Sequence, residues 1–402
     1  MCNIVRITVI SSHFPPALGG VADYTLEWCR AMQNLGHDLT VITSTPKVAY
    51  EGIATAHFNR RWDVSGASEL IGLVKGSRPD ALVVQYVPHA YSERGGGLAV
   101  ALLLRRLARS ISVPMVVNAH EVYGAWTESA KRIPWHLSQR FAAVILASSA
   151  EAFVVTIKRR QGELKRFLWP WTERVKLIQI GPTVPAHAPD PDWRRRHGVA
   201  DGTFLMTSFG LGHPTQAVTQ LSAVLDTLAA GGVNARLFIA GRLDVVHPLV
   251  THLGYVSSED AYQLLAAGDV FVLPLADGVS SRRSSVISAL AVGAAVATTA
   301  GRDTDLDLFC GGGVAMSPSG DPDAFAELVL QLATNAEARA GVTRLGRELF
   351  SSTFAWPVVG NMWAELLEQA AEQNIRKRKA RNVWLFSAAI DRKRVNPKRF
   401  RP

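Results

Sequence analysis

Cysteine is scarce in this sequence. Three occur among 402 residues, at Cys2, Cys29 and Cys310, with no CxxC pair and no Cys/His cluster. That argues against a disulfide framework and a structural zinc site. Long apolar runs are missing too, for none reaches the roughly 18 residues that a bilayer-spanning helix needs. The segment Asn3 to Ile10 alternates like a first strand and lacks the basic-then-apolar layout of a signal peptide. A soluble protein of a reducing compartment, the cytoplasm, is the expectation. The first glycine-rich turn is not a GxGxxG, and no acid closes the strand after it, which disfavours NAD. What is abundant is apolar: 48% hydrophobic residues against 19% charged. A chain of this length and content should bury two cores rather than one.

Positive charge is concentrated. Arg376 to Pro402 holds eleven Lys/Arg and one acid, Asp391, a local charge of +10. The whole chain carries +9, so the first 375 residues stand at −1. The folded body is nearly neutral and the tail is basic. Such a run reads as a solvated extension or as an attraction to an anionic membrane surface, with Trp384, Leu385 and Phe386 as interfacial anchors. Nucleic-acid binding is disfavoured, because no recognised motif accompanies the charge. A second basic and aromatic segment, Lys158 to Trp171, reads as an exposed helix and loop with buried aromatics, or as a membrane-surface contact.

Strand-like and helical runs alternate along the chain. Val5 to Ile10, Leu39 to Thr43, Leu82 to Gln85, Met115 to Asn118 and Val144 to Ala147 read as strands, with an amphipathic helix over Asp23 to Leu35. The series restarts after a Pro-rich break, Pro182 to Asp192. It continues through Phe204 to Phe209, Arg236 to Ala240, Val270 to Leu273 and Ala295 to Thr298. The alternation predicts parallel sheets covered by helices. Two such domains leave a cleft where the strand ends face each other. The expected fold is thus α/β, two Rossmann-like doubly wound domains over 1–184 and 185–353. A helix over 354–375 and the basic tail over 376–402 follow.

Several loops at predicted strand ends carry chemistry. His13 to Tyr24 (HFPPALGGVADY) has prolines that stiffen it and a pair, Gly19 and Gly20, that lets backbone N–H groups approach a ligand. The following helix aims its positive end at the same place, which suits a diphosphate. His120 and Glu121 lie just past one strand, and Tyr86 and His89 past another. The stretch Gly254 to Thr299 reads as a turn, a short helix, a buried strand, the polar loop Ser280 to Ser285 (SSRRSS), a helix of small residues and a second strand. Two guanidinium groups, hydroxyls and helix-start N–H groups are well suited to phosphate oxygens.

The order of these motifs resembles the GT-B glycosyltransferases, family 4 especially, over roughly residues 3 to 372. The Phe354-Ala355-Trp356 segment resembles the one that opens the family's helix crossing back to the first domain. The resemblance implies a retaining, metal-independent transfer of a sugar from a nucleotide-diphosphate donor to an acceptor hydroxyl, in glycan, polysaccharide or glycolipid assembly. It implies no cofactor beyond that donor substrate, and a carbohydrate or lipid-linked acceptor. His120, Glu121 and Asp277 would serve the catalytic centre. Gly19, Gly20, Gly210, Arg242, Ser281, Arg282, Arg283, Ser284, Ser285 and Ser288 would bind the donor and its phosphates. Tyr255 and Val256 would flank the nucleobase, and Tyr86 and His89 the acceptor.

The sequence departs from the family at the diphosphate grip. The usual Arg and Lys of the loop after Phe209 fall on Leu211 and Gln216. The usual pair of glutamates falls on Asp277 and Ser288. Losing one preorganised donor costs about 10²–10³ in rate. Arg282 and Arg283 are therefore expected to compensate. If they do not, the chain is an impaired homologue serving as a binding or scaffold subunit. An epimerase on the same fold is a weaker reading.

Overall fold

The computed structural model describes residues 6–46, 49–92, 95–124 and 130–394, with the side chains of the last helix described as far as Arg376. Seven strands form the first sheet: β1 (Arg6–Ile10), β2 (Asp38–Thr43), β3 (Ile53–His57), β4 (Ala81–Tyr86), β5 (Met115–Ala119), β6 (Ala152–Val155) and β7 (Val175–Leu177). Six form the second: β8 (Phe204–Gly210), β9 (Ala235–Gly241), β10 (Val250–Gly254), β11 (Val270–Leu273), β12 (Val296–Ala300) and β13 (Ala315–Pro318). The spatial orders are β3-β2-β1-β4-β5-β6-β7 and β10-β9-β8-β11-β12-β13. Every pairing is parallel. In both sheets the strand order reverses beside the first strand, the arrangement that opens a crevice at the strands' carboxyl ends.

The central strands read as unbroken apolar runs because helices cover both of their faces. Ala81–Tyr86 and Val270–Leu273 are buried at every position. One expectation fails here. Val144 to Ala147 is not a strand but part of the helix Ile133–Ser149, and the strand lies at Ala152–Val155. A four-residue apolar run carries no period long enough to separate the two states. The flanking strands β3, β7, β10 and β13 sit at or near the sheet edges, with fewer apolar residues and weaker patterns.

The helix Trp356–Arg394 returns to the first domain. Trp363 packs edge-on against Trp28, 5.5 Å between centroids, and both rings are fully buried. Gly360 faces Ala31, Met32 and Leu35, and Asn374 Nδ2 donates to the Ser112 carbonyl at 2.9 Å. Small residues on one helix and large ones on the other let the two axes approach. The backbone stays helical through the basic stretch to Arg394, while the side chains of Trp384, Leu385 and Phe386 lie outside those described. Among the described residues no helix is long and apolar enough to cross a membrane.

Candidate active site

Two helix N-termini meet across the cleft. The helix Gly20–Asn34 starts one loop beyond β1, and Ser284–Val292 starts one loop beyond β11. A Cβ at Gly20 would lie 4.0 Å from Ser284 Oγ. Gly19 caps the first helix at φ 150°, a backbone state that side-chain-bearing residues rarely adopt. Between these ends lies a cavity of about 690 Å³ lined from both domains. Gly19, Gly20, Tyr24, His120 and Glu121 come from one side, and Gly210, Tyr255, Val256, Arg282, Arg283, Ser284 and Ser285 from the other. A cavity of that size holds a drug-sized ligand.

The arginine pair is held by one carboxylate. Arg282 Nη2 reaches Asp277 Oδ2 at 2.7 Å, and Arg283 Nη2 bonds Asp277 Oδ1 and also Thr215 Oγ1 at 2.7 Å. Asp303 takes a further bond from Arg282 at 3.3 Å. The Asp277 side chain is 4% exposed and that of Arg283 is 10%. Burial, followed by the charge of Arg282, pushes the pKa of Arg283 down. Both guanidinium groups thus share Asp277, with Asp303 as a second anion for Arg282, and both arginines line the cavity.

On the opposite wall, the cluster around His120 is uncharged. Gln85 Oε1, at the end of β4, accepts from Asn118 Nδ2 at 2.9 Å and lies 2.8 Å from His120 Nε2. With an amide oxygen as its partner, Nε2 carries the proton and Nδ1 is left as an acceptor. Tyr24 stands edge-on to the ring at 4.8 Å. Burial pushes the pKa of His120 down to about 4, so the imidazole is uncharged at neutral pH. It can accept a hydroxyl's hydrogen bond, but it is not a resident cation.

Several expected site residues stand elsewhere. Ser288 is fully buried behind the cleft, and its Oγ accepts from the Thr183 and Val184 amides at 3.2 and 3.3 Å. It ties the interdomain segment to the second domain rather than facing a ligand. Ser281 is buried as well and donates to the Thr156 carbonyl across the domain boundary. The ring of Tyr86 is buried against Tyr91, its hydroxyl beside Gly97. Asp277 is occupied by the two arginines. Arg242 is exposed and stacks on Tyr255, 5.1 Å from the ring centroid. His89 lines a second, adjoining cavity.

Other cleft residues carried weaker signals. His213 lines both cavities; its Nε2 lies 4.0 Å from Glu121 Oε1 and its amide donates to Gln216 Oε1 at 2.7 Å. Asp23, in the first turn of its helix, has its pKa pushed up to about 6 by burial and then by Glu27. Lys158 and Arg159, from the segment read as a surface helix, cross the domain boundary to Asp305, Asp307 and Asp303. Trp169 of that segment is not buried but 79% exposed.

The fold and its cleft are those of an α/β sugar-transfer enzyme with two facing domains. The glycosyl transferase 4-like domain family matches residues 19–181, and glycosyl transferases group 1 matches residues 206–335. The chain belongs to the family-4-like glycosyltransferases of the GT-B fold. Sucrose-phosphate synthase from Thermosynechococcus elongatus superposes with a TM-score of 0.71 at 16% identity, over 91% of this chain and 98% of that one. HepE of Anabaena, in complex with UDP and glucose, gives 0.68 at 15% over 91% and 100%. WaaG, a glycosyltransferase involved in lipopolysaccharide biosynthesis, gives 0.64 at 13% over 90% and 99%. No curated protein sequence matches the chain.

Proposed function

We propose that the cleft binds a nucleoside diphosphate sugar and that the protein moves the sugar to an acceptor hydroxyl with retention at the anomeric carbon, without a catalytic metal. The observation that supports this best is the meeting of two helix N-termini and the Arg282–Arg283 loop at one point of the cleft. As the anomeric C–O bond breaks, charge grows on the departing diphosphate. Preorganised N–H groups and guanidinium groups stabilise that charge without reorganising. The acceptor oxygen bonds the anomeric carbon, and its proton leaves on a diphosphate oxygen. His120, neutral and held by Gln85, would contact a sugar hydroxyl, with Glu121 beside it. Tyr255 and Val256 would flank the base. HepE, with UDP and glucose bound, is a fold relative consistent with such a donor.

Calorimetric titration with UDP- and GDP-sugars, repeated on Arg282→Ala and Arg283→Ala, tests the reading. Undiminished donor affinity in both variants removes the compensating role given to the arginines. Product analysis by NMR reads the anomeric configuration. A second reading, a non-catalytic binding subunit of a glycan-assembly complex, is favoured by Leu211 and by Gln216, whose side-chain oxygen is spent on a backbone amide. Donor binding without any turnover separates it from the enzyme. The basic tail would then hold either form at the cytoplasmic face of an anionic membrane.

A further inference from the structure

The arginine loop is fastened to the opposite domain. Ser281 donates to the Thr156 carbonyl, and the Ile180 amide donates to the Ser281 carbonyl at 3.5 Å. Asp303, in the loop after β12, makes a further link. Its amide donates to the Asp277 carbonyl at 2.9 Å. Its carboxylate, 7% exposed, is divided between arginines of the two domains. Oδ2 takes Arg282 Nη2 at 3.3 Å, and Oδ1 takes Arg159 Nη1. Arg159 is the second residue of the first-domain helix Lys158–Phe167, and its Nη2 bonds Glu163 Oε1 at 2.9 Å. The next cation to Asp303 Oδ1 is Arg302, with Nε at 3.8 Å and a side chain 62% exposed.

We propose that Arg159 is a positioning residue for the donor site: it holds Asp303 with Oδ2 toward Arg282 and so orients the arginine that meets the diphosphate. The inference rests on the glycosyl-transfer reading above and adds to it a residue from the domain opposite the arginine loop. Both ion pairs of Arg282 are made by Nη2, to Asp277 and to Asp303. Two carboxylates on one nitrogen fix the plane of the guanidinium group. A planar fork grips phosphate oxygens well only when that plane is set before the ligand arrives. Charge alternates along the row Glu163–Arg159–Asp303–Arg282–Asp277–Arg283. Without Arg159, Asp303 is at liberty to turn its free oxygen toward Arg302 or to put both oxygens on Arg282, and either turn moves the fork. The Arg159 side chain is 46% exposed, so its ion pair adds little stability of its own. Its effect belongs to the geometry of the donor site, and that geometry is complete only while the two domains are in contact.

Lys158 supplies the control. It also crosses the domain boundary, to Asp305 and Asp307, and among the described residues neither of those carboxylates bonds Arg282. Full-length protein is titrated by calorimetry with UDP-glucose and, separately, with GDP-glucose. The same is done on Arg159→Gln, Arg159→Lys, Lys158→Gln, Asp303→Asn and the Arg159→Gln/Asp303→Asn double variant. Arg159→Gln should bind the better of the two donors about fivefold or more weakly than wild type, and Arg159→Lys, which restores the charge on Oδ1, should recover part of that loss. Lys158→Gln should stay within about twofold of wild type. Once Asp303→Asn has removed the charge that Arg159 holds, adding Arg159→Gln should change affinity by no more than about twofold. An Arg159→Gln variant that binds as wild type does overturns the proposal. So does an equal loss in Lys158→Gln, which would make Arg159 a mere clamp between domains, and so does full additivity in the double variant. Wild type that binds neither nucleotide sugar brings down the donor reading and this inference with it, whereas normal donor binding by both wild type and Arg159→Gln brings down this inference alone.

Discussion

The two walls of the cleft are held in place by opposite means. On the first domain, His120, Gln85, Asn118 and Tyr24 are uncharged and held by amide hydrogen bonds and ring contact. On the second, Arg282, Arg283, Asp277 and Asp303 form an ion-paired lattice of two guanidinium groups and two carboxylates. An uncharged cluster positions without committing charge, so it suits sugar hydroxyls. A charged wall is costly to bury unless something anionic completes it. The contrast implies that the second domain is the more ligand-dependent of the two.

Asp277→Ala puts this to the hardest test. It removes the carboxylate that both partly buried guanidinium groups share, and a loss of about 3–5 kcal/mol in unfolding free energy is expected by denaturant titration. If the lattice is built around an anion, a saturating nucleoside diphosphate should raise the melting temperature of this variant more than that of wild type. An equal rise would break the contrast.

Arg283→Ala comes next. Removing one preorganised donor should lower turnover of a nucleotide sugar by about 10²–10³, read by initial rates. Unchanged rates would leave the charged wall without a role in chemistry.

The uncharged cluster is tested by pH. His120 titrates near 4 when folded against an ordinary 6.5. Between those values the unfolded chain takes up a proton that the folded protein refuses, so stability falls as the pH drops from 6.5 toward 4. The loss is at most about 3 kcal/mol. Asp23 acts in the other direction: raised to about 6, it holds a proton in the folded state that the unfolded chain releases, so acidification through 6 favours folding. Subtracting the pH profile of His120→Gln from that of wild type isolates the histidine. A flat difference would mean that His120 is not held neutral.

Ser288→Ala should show the smallest effect. It strands two buried amides, at about 1–3 kcal/mol for the loss of an acceptor. Nucleotide affinity should stay put, as calorimetry would show. A fall in affinity would restore Ser288 to the ligand site.

The architecture was largely legible in the residues. Val270–Leu273 and Phe204–Gly210 declare themselves because central parallel strands are apolar on both faces. The edge strand Ala315–Pro318 does not, since only one of its four residues is buried. Within the site, Arg282, Arg283, Ser284 and Ser285 were marked by their loop at a strand's carboxyl end, and they do line the cleft. Ser288 and Tyr86 were misread for one reason: sequence position puts a residue near a cleft, but only packing decides which way it faces. His213 and Gln85 carried only weak signals. Each matters through a partner more than two residues away in sequence, Glu121 for one and His120 for the other.

By itself the sequence determined two parallel-sheet domains, the loops that meet between them, and a basic end on a neutral body. Periodicity, glycine placement and charge are local properties of a chain, and local properties survive without coordinates. Tertiary structure alone decided that Asp277 belongs to the arginines rather than to a ligand, that His120 is uncharged, and that Arg159 reaches Arg282 through Asp303. Those facts depend on distances between residues far apart along the chain and on how much water their neighbours exclude. Both are set when the sheets, loops and returning helix pack together.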